Sequence, residues 1–207
     1  TEGLCNALLP APLVSHLEEN RRFWGLYSVA TDLKVHIVLS VSCEPDGRRT
    51  AFGSAAGWDL ASACHSAVTE MLQSENSLQL MEKAYRDQTS GPGEAQRLPP
   101  HLVYARDKSV FSDFLSKADG ESDMPDPDTV YTYNELLESC TRKSIDIWEF
   151  DATRSDLGIP CVKLISKNLC SWEPRFGKER LYQGVVDRGL RTQRASESEF
   201  AARPFPF

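Results

Sequence analysis

The chain has 207 residues, of which 41% are hydrophobic and 26% charged, with a net charge of −7. That length supports one large or two small domains with a real core, in the ordinary water-soluble globular class. The acidic balance argues against a nucleic acid larger than a nucleotide, apart from a local basic patch at Arg175, Lys178 and Arg180, and no apolar run is long enough to span a membrane.

Six cysteines (Cys5, Cys43, Cys64, Cys140, Cys161 and Cys170) form no C-x-x-C pair, so the sequence gives little support for a zinc site. Cys64, Cys140 and Cys161 lie within apolar patterns and are expected as buried thiols. With no signal-peptide pattern, this cysteine usage implies a reducing, cytoplasmic setting. Thr1 reads as a cut end, and Arg203-Pro204-Phe205-Pro206-Phe207 as a true one.

In chain order, the pattern predicts a helix from Pro12 to Phe23, a strand from Leu26 to Ala30 and a strand from Val35 to Ser42. Gly53-Ser54-Ala55-Ala56-Gly57 then reads as a glycine-punctuated turn into a long helix, about Leu60 to Asp87, with Asp59 as its N-cap. Leu60, Ala63, Ala67, Val68 and Leu72 mark the buried face of that helix. Glu70 and Gln73 sit at i and i+3 and project from one side. A carboxylate can ligate Mg2+ and an amide can hydrogen-bond phosphate or ribose; the alternative is a solvated polar pair.

A breaker cluster follows at Thr89–Glu94, then a short helix at Ser109–Ala118 and an acidic, proline-rich loop at Asp119–Asp128. The order of oxygen donors in that loop does not match a calcium loop, and a solvated loop or lid is expected. A second helix–strand–strand set is predicted at Tyr133–Lys143, Ile145–Phe150 and Pro160–Ser166. Its Ser155-Asp156-Leu157-Gly158-Ile159-Pro160-Cys161-Val162 resembles Thr31-Asp32-Leu33-Lys34-Val35-His36-Ile37-Val38. The expected fold class is therefore α+β, with mixed sheets, packed helices and two degenerate repeated α-β-β units sharing one core. Flexible loops are expected at about 88–100 and 119–130, and a polar tail at 188–207.

Three stretches, in this order along the chain, resemble the YcaO superfamily. The first is Gly53–Gly57 leading to Thr69-Glu70-Met71-Leu72-Gln73. The second is Phe150-Asp151-Ala152-Thr153-Arg154-Ser155-Asp156-Leu157-Gly158-Ile159-Pro160-Cys161-Val162. The third is the terminal Pro204-Phe205-Pro206-Phe207. The resemblance covers the second half of a typical YcaO domain, whose first half supplies part of the nucleotide site.

The resemblance implies an ATP- and Mg2+-dependent enzyme that activates a peptide backbone amide for azoline or thioamide formation. A Cys, Ser or Thr side chain of the substrate, or sulfide, adds to the amide carbonyl. The oxyanion takes the γ-phosphoryl group of ATP and then leaves as phosphate. By resemblance Glu70 is the metal ligand, with Gln73 and Ser66 on the nucleotide. The family's serine ahead of that glutamate would fall on Ala63, with Ser62 adjacent, and its Gln-x-Arg is here Gln73-Ser74-Glu75.

Glu138 and Arg142 have a spacing the family uses near its phosphates, the alternative being a surface i,i+4 ion pair. Arg180 is a further phosphate candidate, the alternative being a solvated basic turn. Pro206 and Phe207 resemble the catalytic tail of peptide cyclodehydratases, the alternative being a stiff surface tail. The implied partners are a peptide or protein substrate and a partner protein presenting it.

Competing chemistries lack their motifs. His16, His36, His65 and His101 share no spacing, and neither G-x-S-x-G nor a Walker loop occurs. Trp24, Trp58, Trp148 and Trp172 are read as core or rim packing residues, and Asp32, Asp151 and Asp156 as tight-turn residues. Two further readings stand beside the enzyme. One is a catalytically inactive YcaO-like module that binds a peptide or partner. The other is a structural fragment whose exposed apolar surface leads to a homodimer or aggregate.

Overall fold

The structure is a computed structural model that describes residues 8–88, 125–169 and 178–201. The expected helix at 109–118, the loop at 89–100, most of the loop at 119–130, Trp172, Arg175, and Pro206 and Phe207 lie outside the described residues. The described part is α+β, with helices α1 (Ala11–Glu19), α2 (Leu60–Gln88), α3 (Tyr133–Arg142), α4 (Glu179–Asp187) and α5 (Glu197–Ala201). The strands are β1 (Phe23–Ser28), β2 (His36–Cys43), β3 (Ala51–Gly57), β4 (Trp148–Asp151) and β5 (Val162–Ile165). They divide into two compact units.

In the first unit β1, β2 and β3 form an antiparallel sheet in that order. Helix α1 stops at Glu19, earlier than the expected Phe23. Asn20 closes the last turn on the His16 carbonyl, and Arg21 takes a left-handed φ of 47° that a helix cannot continue. Strand β1 accordingly begins at Phe23.

Helix α2 packs on the sheet with the stripe Leu60, Ala63, Cys64, Ala67, Val68 and Met71, joined by Val14, Leu17, Val38 and Ala51. Leu72, expected in the buried face, packs only partly buried at its margin, as does Trp24. Strand β2 is covered on both faces. Val38, Ser40 and Ser42 alternate toward α2, with Ser40 donating to the Met71 sulfur at 2.9 Å. Leu39, Val41 and Cys43 cluster with Phe52 and Tyr27 on the other side.

The glycine run is a strand rather than a turn. Ala51–Gly57 pairs along β2, Ser40 opposite Gly53 and His36 opposite Gly57. The small residues serve the contact with α2: a Cβ on Gly53 would collide with the Ala67 carbonyl oxygen and the Met71 nitrogen, with the Glu70 carbonyl carbon at 3.0 Å. The turn into the helix is only Trp58-Asp59. Asp59 caps α2 as expected, its Oδ1 accepting from Ser62 N–H at 2.8 Å.

In the second unit α3 opens with a capping box, Thr132 and Glu135 each accepting from the other's backbone N–H. It leads to the antiparallel pair β4–β5. The order helix–strand–strand thus occurs twice, as α1–β1–β2 and α3–β4–β5, and among the described residues only the first pair gains a third strand. Cys161, expected buried, is exposed, because the two-stranded sheet beside it has no covering layer among the described residues; Cys64 and Cys140 are buried. Trp148 is likewise exposed rather than packed. In the polar stretch that begins at Arg188, α5 is tied back to α4 by a Tyr182 hydroxyl bond to Glu197, and the segment before it by an Arg194–Glu179 ion pair at 2.9 Å.

Candidate functional site

Helix α2 carries Ser66, Glu70 and Gln73 at i, i+4 and i+7, along one face. Ser66 and Gln73 are exposed and Glu70 is half-buried. Glu70 is held by the sheet: its Oε2 accepts the backbone N–H of Ser54 on β3 at 2.6 Å. This bond depends on Gly53, because only a residue without a Cβ lets β3 lie this close to α2. Oε1 of Glu70 has no hydrogen bond among the described residues. A carboxylate oriented by one oxygen, with the other unpaired, suits a single protein ligand to Mg2+, which is commonly bound by one or two carboxylates together with substrate phosphates. Among the described residues no cluster of three or more His, Cys, Asp or Glu side chains could hold a metal without such help.

Just over one helical turn beyond Glu70, the structure places a network that sequence reasoning missed. Glu75 is buried; its carboxylate accepts from Ser42 Oγ and from Asn20 Nδ2 at 3.2 Å, and pairs with Arg22 Nε at 3.1 Å. Arg22 also donates to the Arg49 carbonyl at 2.5 Å. The position that departs from the family's Gln-x-Arg is therefore a buried acceptor that ties α2 to β2 and to the approach to β1. The signal was available: Glu75 continues the buried stripe of Cys64, Val68 and Met71. At the other end of β2, His36 is also buried, with its Nε2 2.8 Å from the Thr129 carbonyl, and is a satisfied core histidine.

The remaining candidates belong to the second unit. Glu138 and Arg142 lie on α3, 3.9 Å apart and largely exposed, which is the geometry of a surface i,i+4 pair. Arg180 does not stand free in a basic turn. It donates to Asp32, which also meets Arg188 at 3.3 Å and Lys143 at 3.8 Å. Asp32 thus collects three cations, a larger role than the tight turn expected of it.

Burial raises the Asp32 carboxyl, but the hydrogen bond and charge of Arg180, joined by Arg188, outweigh it and hold it below the usual carboxylate range. A lowered folded value gives stabilisation that is complete above the unfolded value of about 3.9 and is lost as pH falls through the folded one. Asp32→Asn is expected to be less stable than the wild type at neutral pH and to converge with it below about pH 4, in urea titrations followed by circular dichroism. A gap that stays constant through the acid range would contradict this.

The family described as YcaO cyclodehydratase, ATP- and Mg2+-binding, matches residues 10–170. Among solved structures, a heterocyclase in complex with substrate and cofactor is similar at 20% identity and a TM-score of 0.73, over 95% of this chain and 26% of that one. The heterocyclase TruD is similar at 21% identity and a TM-score of 0.68, over 95% and 27%. A chain of the E. coli microcin synthetase McbBCD complex with pro-MccB17 bound is similar at 18% identity and a TM-score of 0.53, over 76% and 41%. The chain therefore spans about a quarter of the length of the two heterocyclases. At these identities the likeness is one of fold. No curated protein sequence matches. No helix among the described residues is long and apolar enough to cross a membrane. The match over most of the chain's length settles the family: the chain belongs to the YcaO cyclodehydratase family.

Proposed function

We propose that the chain takes part in ATP- and Mg2+-dependent activation of a peptide backbone amide, leading to an azoline or a thioamide in a ribosomally made peptide or protein. The observation that carries this reading is the Glu70 carboxylate, fixed by Ser54 N–H on the face of α2 that also presents Ser66 and Gln73. Glu70 would hold the metal through its unpaired Oε1. The Gln73 amide and Ser66 hydroxyl would bind phosphate or ribose, and Arg142, Glu138 and Arg180 are the second unit's candidates for contact with phosphate.

Bound Mg–ATP supplies the phosphoryl group that turns the amide oxygen into a leaving group, and the metal offsets the developing charge. The side chains named here have positioning and electrostatic roles; none acts as a nucleophile. Pro206 and Phe207 are proposed as the tail that reaches toward the reacting amide. The heterocyclase solved with its substrate, and the synthetase complex solved with its pro-peptide, support a peptide substrate and a partner protein that presents it. The family and the cysteine usage support a cytoplasmic setting.

A second reading, a peptide-binding module without turnover, is favoured by one observation: Arg180 is already bound to Asp32 and Arg142 lies beside Glu138. The two readings separate in phosphate release from Mg–ATP in the presence of a Cys-, Ser- and Thr-bearing peptide. The enzyme reading expects release by the wild type and a loss of about a hundredfold or more in Glu70→Gln, the scale of removing one fixed electrostatic partner. Peptide binding that is unaffected by Glu70→Gln, without phosphate release by the wild type, would support the module instead.

A further inference from the structure

We propose that Arg180 and Lys143, held in place by Asp32 and Arg188, form a binding site for a phosphate group within the second unit. The proposal rests on, and deepens, the phosphate role given to Arg180 above. All four residues lie in that unit, which takes in Asp32–Lys34 although they fall between β1 and β2 in sequence. Three cations meet one carboxylate: Arg180 and Arg188 on its Oδ1, and Lys143 beside its Oδ2. The cluster is left with an excess of two positive charges. The Arg180 and Arg188 side chains are each only 21% exposed, where like charges held together are costly without a further counter-ion. A phosphate group carries a charge of about −1.5 to −2 at pH 7 and matches that excess, whereas a peptide carboxylate carries a single charge.

The hydrogen bonds assign each side chain its part. Arg188 is fully engaged: Nε donates to the Gly184 carbonyl at 2.8 Å, Nη2 to the Arg180 carbonyl at 3.1 Å and Nη1 to Asp32 at 3.3 Å. It braces α4 against Asp32 and contributes charge rather than donors. Arg180 commits only Nη2, to Asp32; among the described residues its Nε and Nη1 make no hydrogen bond. Lys143 follows the last turn of α3, with its amine 3.8 Å from Asp32 Oδ2, an ion-pair distance too long for a hydrogen bond. Oδ2 accordingly makes no hydrogen bond. An anchored guanidinium with donors to spare thus lies beside a half-exposed ammonium with three more. Because Asp32 already fixes the guanidinium, little side-chain freedom remains to be lost when an anion binds.

Equilibrium dialysis of the full chain against radiolabelled inorganic phosphate, without Mg2+, tests this. The wild type is expected to bind saturably at one site. Lys143→Ala and Arg180→Gln are each expected to weaken binding by about tenfold or more, the scale of one charged hydrogen bond. Lys143 is half exposed, so its removal leaves the fold intact, which circular dichroism checks, and the test stands should Arg180→Gln fold poorly. Lys167→Ala, which removes a lysine paired with Asp146 in the same unit, is expected to change nothing. Displacement of the label by ATP would support the site and name the nucleotide's phosphates as its occupant. Saturable binding that ATP does not displace would support it with free phosphate, the product of the proposed reaction, as occupant. No saturable binding by the folded wild type, or binding that neither Lys143→Ala nor Arg180→Gln weakens, would overturn the proposal. Neither Mg2+ nor Glu70 enters this experiment, so its failure is distinct from a failure of the metal–nucleotide reading.

Discussion

Gly53→Ala is expected to destabilise the protein by about 3 kcal/mol, lowering Tm by roughly 6–12 °C for a chain of this size. The added methyl would meet backbone atoms of α2, the Ala67 carbonyl oxygen and the Met71 nitrogen, and backbone has no rotamer through which to yield. Strand β3 must then move away from α2, and the Ser54 N–H to Glu70 bond lengthens with it. Loss of stability and loss of any Glu70-dependent binding are therefore expected together. Gly57→Ala is the control. Its Cβ would find the Ala63 Cβ and the Asp59 oxygen at 3.1 Å, a squeeze that a small shift of the helix start relieves, at about 1 kcal/mol. Thermal unfolding in which Gly53→Ala is no worse than Gly57→Ala would show that close strand–helix approach is not what the glycine provides.

Removing Glu75 is expected to cost about 3–5 kcal/mol, the range for stranding one member of a buried ion pair. Among the described residues Arg22 has no other carboxylate partner, and in Glu75→Ala its guanidinium keeps only Ser42 Oγ at 3.4 Å and the Arg49 carbonyl. The joint replacement Arg22→Met with Glu75→Leu is expected to recover most of the loss, since exchanging a buried pair for apolar residues of similar volume is often neutral. Urea denaturation of the two single variants and the double gives the coupling directly. Additive losses would mean that Ser42 and Asn20, rather than Arg22, account for Glu75's contribution.

The long helix and its cap were legible in the sequence because Leu60, Ala63, Ala67 and Val68 recur at helical spacing behind Asp59. The helices α1 and α3 and the strands that follow each were legible from helical spacing and β-rich runs, with ends displaced by a few residues. What failed was local chemistry. Gly53–Gly57 has the composition of a turn, yet its glycine and alanine content answers a packing need that appears only once α2 lies across β3. Cys161 sits in an apolar pattern, but a pattern reports which side chains seek cover, not whether cover lies over them, and among the described residues none does. Helical spacing grouped Ser66, Glu70 and Gln73. It could not reveal that Ser54 fixes Glu70, nor that Asp32 gathers Arg180, Arg188 and Lys143 across more than a hundred residues of sequence. Contacts made across such separations leave no periodic trace.

The central claim is that Glu70 anchors a metal–nucleotide site on α2. Isothermal titration of the folded chain with ATP in the presence of Mg2+, beside Glu70→Ala, tests it most directly. The account expects binding that requires Mg2+ and is abolished in a variant whose circular dichroism is unchanged. Absence of binding by the folded wild type, or binding that survives in Glu70→Ala, would contradict it.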